Sequence, residues 1–248
     1  KYPCFNALNE PLWPERWDAD ALLQRKAEIG SLKFTREYLC VPISTGTSLF
    51  NPEFIQNCKN KEYVLKLGNR KDKGYKYYVG VDPAISTDGD YNVITVLEVD
   101  DEANKTIVHV DRAKNVEFRE NIEKIRLIGK IFQPEVVLYE TNTFAKAFTQ
   151  ELRSISDLNI KDFDTTRKKK QEIILNLQMN IENGKLNFPY GDNASRRLTN
   201  LLIEELSMFS ITESGRFEGV GAHDDLVMSL ALANAATQAP SENFILLD

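Results

Sequence analysis

Cysteine and histidine are scarce in this chain, a positive charge balance is missing, and each shortage closes off a class of function. The three cysteines, Cys4, Cys40 and Cys58, are widely spaced and form no CxxC. They fit neither a disulfide framework nor a zinc site, and a reducing interior suits them. No apolar run is long enough to cross a bilayer, which takes about 20 apolar residues, so membrane insertion is excluded. The phosphate loop GxxxxGK[ST] is absent, so no ATP site of that kind is encoded. Acidic side chains outnumber basic ones, 37 to 31, giving a formal net charge of −6. Nucleic acid could not be gripped through the overall field, and any such contact has to be local.

What is present is an ordinary globular balance, 42% hydrophobic and 27% charged over 248 residues. That is enough for one good core, or one core with an appendage. The chain opens at Lys1 with neither an initiator methionine nor a signal-like segment, which reads as a processed or excised piece. Local basic clusters occur at Arg70, Lys71 and Lys73, at Arg167, Lys168, Lys169 and Lys170, and at Arg196 and Arg197. Each by itself reads first as a solvated face.

Residues 1–73 differ in pattern from the rest. Asp18 is a fitting N-cap for a helix over 19–29 with Gly30 as its stop, and no strand pattern is visible. Trp13, Trp17, Phe34, Tyr38 and Leu39 could pack this segment onto a neighbour, so it reads as a connector. From residue 75, three strand-like runs at 75–81, 92–99 and 106–111 predict an antiparallel meander. A helix over 118–132 leads through Pro134 to a strand at 136–139, a crossover that would lay this strand parallel to an earlier one. Further helices are predicted over 145–152, 168–183 with Gly184 as stop, 196–206 and 225–236, with a short strand at 160–163. The fold class is therefore α/β, a mixed sheet flanked by helices over 74–238, followed by a tail at 239–248.

Carboxylates gather at the ends of these elements. Asp82 ends the first strand, Glu140 ends the fourth, and Asp224-Asp225 open the last helix, while Asp88 and Asp90 lie in the hairpin loop after Asp82. If the crossover sets the fourth strand beside the first, Asp82 and Glu140 emerge at one edge of the sheet. Each also has a local explanation as a turn former or helix cap. Together those explanations weaken, because two carboxylates about 4 Å apart repel by roughly 4 kcal/mol at an effective dielectric of 20. A bound cation would relieve this. Hard oxygen donors without a His-Cys set point to Mg²⁺ or Mn²⁺, and two such ions can serve phosphodiester cleavage. His109 sits in a strand pattern and reads as structural; His223, beside the aspartates, could position water, phosphate or a ligating carboxylate, or belong to the helix cap.

VGVDPA with GDYN, then LYETN, then HDDL at a helix start, resemble the active-site segments of the nuclease domain of viral large terminases, of the ribonuclease H-like superfamily. The resemblance spans roughly 75–236. RKKKQEIILNLQMNIENGKLNFP looks like that family's basic helix and following short strand, and WPERW and FTREYLC look like the end of the neighbouring motor domain and its linker. It implies a metal-dependent endonuclease cutting double-stranded DNA with little sequence preference and leaving 5′-phosphate and 3′-hydroxyl ends. Asp82 becomes the shared metal ligand, Glu140 the second, and Asp224 or Asp225 the third, with Asp224 slightly favoured by its place at the helix start. Asp90, or else Asp88, matches an auxiliary acidic position, and His223 is a further auxiliary candidate. Two Mg²⁺ or Mn²⁺ ions would bind with DNA. Arg167, Lys168, Lys169, Lys170, Arg196 and Arg197 would contact the DNA backbone without reading its sequence.

The same resemblance implies a motor domain, a portal and a small terminase subunit as partners, and action in the host cytoplasm at the capsid portal. The fragment alone is expected to be monomeric. A junction resolvase or transposase-like nuclease of the same fold, and a portal-docking module with a structural ion, use the same residues and stay open. An actin-like nucleotide-binding protein would share the early strand order but needs glycine-rich phosphate loops, which Asp82 and Glu140 lack.

Overall fold

Local signals at the N-terminal end act as read. Helix α1 (Ala19–Ile29) starts where the Asp18 side chain accepts the Ala21 N–H at 2.8 Å, and stops at Gly30, whose φ of 79° suits a residue without Cβ. The computed structural model describes all residues except 1, 7, 42–45, 47, 67–73, 84–90, 142–144, 220–222 and 239–248, with backbone alone at 145–147. Helices α2 (Ser31–Glu37) and α3 (Pro52–Asn57) come next. Both are tied to the rest of the molecule. Glu182 accepts the Ser31 N–H at 2.9 Å, and Leu49, Phe50, Ile55 and Cys58 are buried in the main apolar cluster. The connector therefore shares its core with the remainder of the chain. It also contributes a strand, β1 (Lys59–Asn60), which escaped the sequence because two residues cannot display alternation.

The centre of the molecule is β2 (Lys76–Asp82), β3 (Asn92–Val99) and β4 (Lys105–Ala113), the expected antiparallel meander. Helix α4 (Phe118–Phe132) carries the chain to β5 (Val136–Thr141), which pairs in parallel with β2 as the crossover predicts. Then come α5 (Ala145–Ile155), β6 (Ile160–Asp164), α6 (Arg167–Glu182), β7 (Leu186–Pro189) and α7 (Asn193–Met208). A hairpin, β8 (Phe209–Ile211) and β9 (Phe217–Gly219), precedes α8 (Asp225–Ala236). Its three-residue strands were too short to read, although Ser214-Gly215 between them is a turn signal. The seven-stranded sheet runs β1-β7-β4-β3-β2-β5-β6.

Period-two alternation sorts the side chains onto two faces. Tyr77, Val79, Val81, Ile94, Val96, Val137 and Tyr139 turn to the face covered by α4 and α5, with Ile122, Ile125, Phe132 and Leu152 packed on them. Val93, Leu97, Val136 and Leu138 turn to the opposite face, covered by α6, α7 and α8. Helix α8 is sandwiched between the sheet and the outer helices, so every one of its residues is buried and it carries no polar stripe.

Close approach of α8 to the sheet depends on Gly80. A Cβ there would lie 2.2 Å from Ala233 N and 2.2 Å from Ser229 O, inside the helix backbone. Ser229 Oγ donates to Gly80 O at 3.0 Å and lies 2.9 Å from Thr95 Oγ1, so the helix is bonded to the strands as well as packed on them. Among the described residues, no helix is long and apolar enough to cross a membrane.

Candidate active site

Strand parity and register bring the first two predicted carboxylates together. Val81 of β2 is opposite Tyr139 of the parallel β5, so Asp82 and Glu140 come next at the same edge. Asp82 shares parity with Gly80, and Glu140 with Leu138, which sets both on the α8 face. The helix then supplies the rest. Ser229 lies over Gly80, and one helical turn back, about 6 Å, reaches Asp225, while two residues along β2, about 6.6 Å, reach Asp82. The two carboxylates therefore arrive over the same spot from a strand and an antiparallel helix.

The electrostatics record this convergence. Asp82 keeps some solvent access at its strand end but is enclosed enough that desolvation pushes its carboxyl well above the usual carboxylate range. Glu140 adds repulsion and a hydrogen bond to it, and Asp225 and Asp224 add further repulsion, in that order. The two aspartates have different surroundings. Asp225 is buried, accepts the Tyr91 N–H at 3.1 Å, and has His223 Nδ1 3.6 Å from its Oδ2. Asp224 occupies the N-cap position without a side-chain cap bond, and its Oδ2 pairs with Lys170 Nζ at 3.0 Å. The slight preference for Asp224 thus meets a structure in which Asp225 is the more enclosed of the two and presses harder on Asp82.

This carboxylate set suits a hard divalent cation in its chemistry: its donors are all oxygens, and at Asp82 burial and the neighbouring carboxylates disfavour a charge that a cation would compensate. Among the described residues, no three His, Cys, Asp or Glu side chains stand close enough together to hold an ion in their present positions. Asp224 is paired with Lys170. Asp88 and Asp90 lie outside the described residues, as do Arg70, Lys71 and Lys73.

Glu205 was missed in the sequence, where it is one of several acids on an amphipathic helix. It is buried at the end of α7, accepts the Leu226 and Val227 N–H groups at 2.9 and 3.4 Å, and lies 3.4 Å from Arg112 Nη2. It does the capping that the Asp224 side chain does not. Arg112 stacks 3.4 Å from the Tyr91 ring centre, and Tyr91 meets the His223 ring edge-on at 5.2 Å, so one brace joins β3, β4, α7 and the start of α8. Glu205→Leu is expected to cost about 2 kcal/mol in denaturant unfolding, because it orphans buried donors. Burial raises the Glu205 carboxyl from 4.5 to about 7, so the folded state holds its proton longer than the unfolded chain. Stability then falls as pH rises through that window, and Glu205→Gln should flatten the fall.

The basic candidates divide. Lys170, in the first turn of α6, pairs with Asp224 at the acidic edge, and Arg167 in the same turn lies against the β8–β9 hairpin. Lys168 is exposed, and Lys169 lines a separate cavity with Leu138, Phe163 and Glu172. Arg196 and Arg197 lie at the other end of α7 from Glu205, about 13 Å along its axis, and bond to Tyr190 O and Asn193 O. The structure does not bring them to the site. His109 packs its ring 5.7 Å from Phe132 under the α4 face, in keeping with a structural role.

A family model described as the terminase RNaseH-like domain matches residues 79–236. The chain belongs to this family. The large terminase subunits of Thermus virus P23-45 and Thermus phage G20c are 26% and 25% identical to it over 246 residues, 94% of the chain. The chain spans about half the length of these curated relatives, 46% of each. Among solved structures, the magnesium-bound large terminase nuclease of phage G20c superposes with a TM-score of 0.60 at 23% identity, over 78% of this chain and 98% of that one. The bacteriophage HK97 large terminase superposes at 0.56 with 12% identity, over 87% of this chain and 50% of that one. The fold of this terminase-family chain is thus that of the RNase H-like nuclease domains, with the motifs VGVDPA, LYETN and HDDL inside the matched span.

Proposed function

We propose that this chain is the nuclease part of a viral genome-packaging terminase, a divalent-metal-dependent endonuclease that cuts double-stranded DNA with little sequence preference. The observation that carries this reading is Asp82, crowded by Glu140, Asp225 and Asp224 on the one sheet face that α8 covers. Folding tolerates such crowding where a cation and a phosphate are to be held. Asp82, Glu140 and the Asp224-Asp225 pair would hold Mg²⁺ or Mn²⁺, two ions with DNA bound, and His223 would orient Asp225. When bound, the ions would supply Lewis-acid stabilisation of the attacking and leaving oxygens. The chain itself contributes rigid placement: two carboxylates fixed by strand register and one by a helix start that Glu205 caps.

Backbone contacts from Arg167, Lys168, Lys169 and Lys170 would position a duplex without reading its bases, which accounts for the low sequence preference. With a net charge of −6, affinity for DNA should be weak and strongly salt-dependent. The motor domain, portal and small subunit of the packaging assembly in the infected host would supply the missing hold, and products would carry 5′-phosphate and 3′-hydroxyl ends.

Supercoiled plasmid incubated with Mn²⁺, Mg²⁺ or EDTA tests the reading. Nicking and linearisation that need the metal are expected. Strong preference for a four-way junction over linear duplex would move the assignment to a resolvase-like enzyme, and metal-dependent stability without any cutting would move it to a docking module.

A further inference from the structure

Lys170 stands where the basic start of α6 meets the acidic edge of the sheet. Its Nζ lies 3.0 Å from Asp224 Oδ2 and 5.8 Å from the Phe209 ring centre, and its side chain is only 23% exposed. With Arg167, Gln171, Arg216 and Phe217 it also lines an open cavity of about 230 Å³. The arginines there are engaged: Arg167 donates to Ser214 O at 2.8 Å, and Arg216 lies 3.9 Å from Glu218. Lys170 is the cation of this cavity that holds a candidate metal ligand.

An ammonium and a divalent ion on one carboxylate exclude each other by repulsion and by competition for the same lone pairs. An ammonium on a flexible four-carbon stem can leave without rearranging the helix that carries it, which a forked guanidinium engaged by two bonds does less readily. The cavity, whose lining also includes the carboxylate of Glu218, offers it a second position on the side of Arg167 and Arg216, where three cations face one acid.

Resting on the nuclease reading above, we propose that Lys170 is an exchangeable counter-ion: it neutralises Asp224 while no metal is bound, and moves to a phosphate of the DNA backbone when a divalent ion takes Asp224. Metal and Lys170 then oppose each other at Asp224, whereas metal and DNA favour each other through the released ammonium. By linkage, each of the latter pair tightens the other.

The test uses the whole chain. The Mn²⁺ concentration giving half of the maximal rise in melting temperature is measured for the parent, Lys170→Met and Lys168→Met, alongside kcat and KM for linear duplex cleavage. Lys170→Met is expected to lower the Mn²⁺ half-point about five-fold and to raise KM for DNA about five-fold. Lys168→Met should raise KM alone. Effects of opposite sign on metal and DNA are not what a purely structural lysine would give. If Lys170→Met does not fold by circular dichroism, Lys170→Gln is measured in its place. An unchanged or higher Mn²⁺ half-point in Lys170→Met, with a parent that does cut DNA, overturns the counter-ion role and leaves the nuclease reading standing. A parent whose melting and cutting both ignore Mn²⁺ overturns both.

Discussion

Asp82→Asn is expected to lower metal-dependent cleavage by about 10³-fold or more, while raising the melting temperature of the metal-free protein. The two effects have one cause. Asp82 sits at a strand end where desolvation and three neighbouring carboxylates all disfavour its charge. Replacing it by a neutral amide of the same shape removes that penalty from the apo fold, and with it a carboxylate that would hold the metal. Plasmid linearisation rates and melting curves in EDTA, recorded on the same samples, check both halves. An inactive variant that melts lower than the parent would mean that Asp82 is structural in the ordinary sense. A variant that still cuts would remove the site from this edge of the sheet.

The second large effect is expected at a residue with no chemistry. Gly80→Ala should destabilise the fold by about 3 kcal/mol and take most of the cleavage activity with it. The added methyl would enter the backbone of α8 at Ser229 and Ala233, where nothing flexible can yield. Helix and strand must separate, and the hydrogen bond from Ser229 to Gly80 O stretches with them. Since Asp225 lies one turn back along α8 from that contact, the carboxylates are expected to part as well. Denaturant midpoints and Mn²⁺ half-points measured together check this: a stability loss with an unchanged half-point would show that α8 holds Asp225 independently of the Gly80 contact.

Much of the candidate site was legible before any tertiary information, for local reasons. Asp82 and Glu140 each end a run of β-branched and apolar residues, and Asp224-Asp225 precede a run rich in alanine and leucine. The β2–β5 pairing was inferable because a crossover helix between strands favours a parallel neighbour. Glu205 was not legible, because its partners Leu226 and Val227 N–H lie about twenty residues away and Arg112 more than ninety. Nor was the contrast between Arg167 and Arg196, which are alike as basic residues near helix starts. One first turn abuts the acidic edge and the other lies at the remote end of α7.

The sequence by itself determined the longer elements from residue 75 onward, their order, the absence of an ATP loop and a candidate acidic set, because alternation, capping and motif spacing are properties of neighbouring residues. Only the tertiary structure decided that Asp225 is enclosed while Asp224 is held by Lys170, that a glycine on β2 sets the height of α8, and that a carboxylate on α7 caps that helix. Those depend on which surfaces meet across the sheet. Long-range packing selects one such arrangement from many that the same local pattern permits.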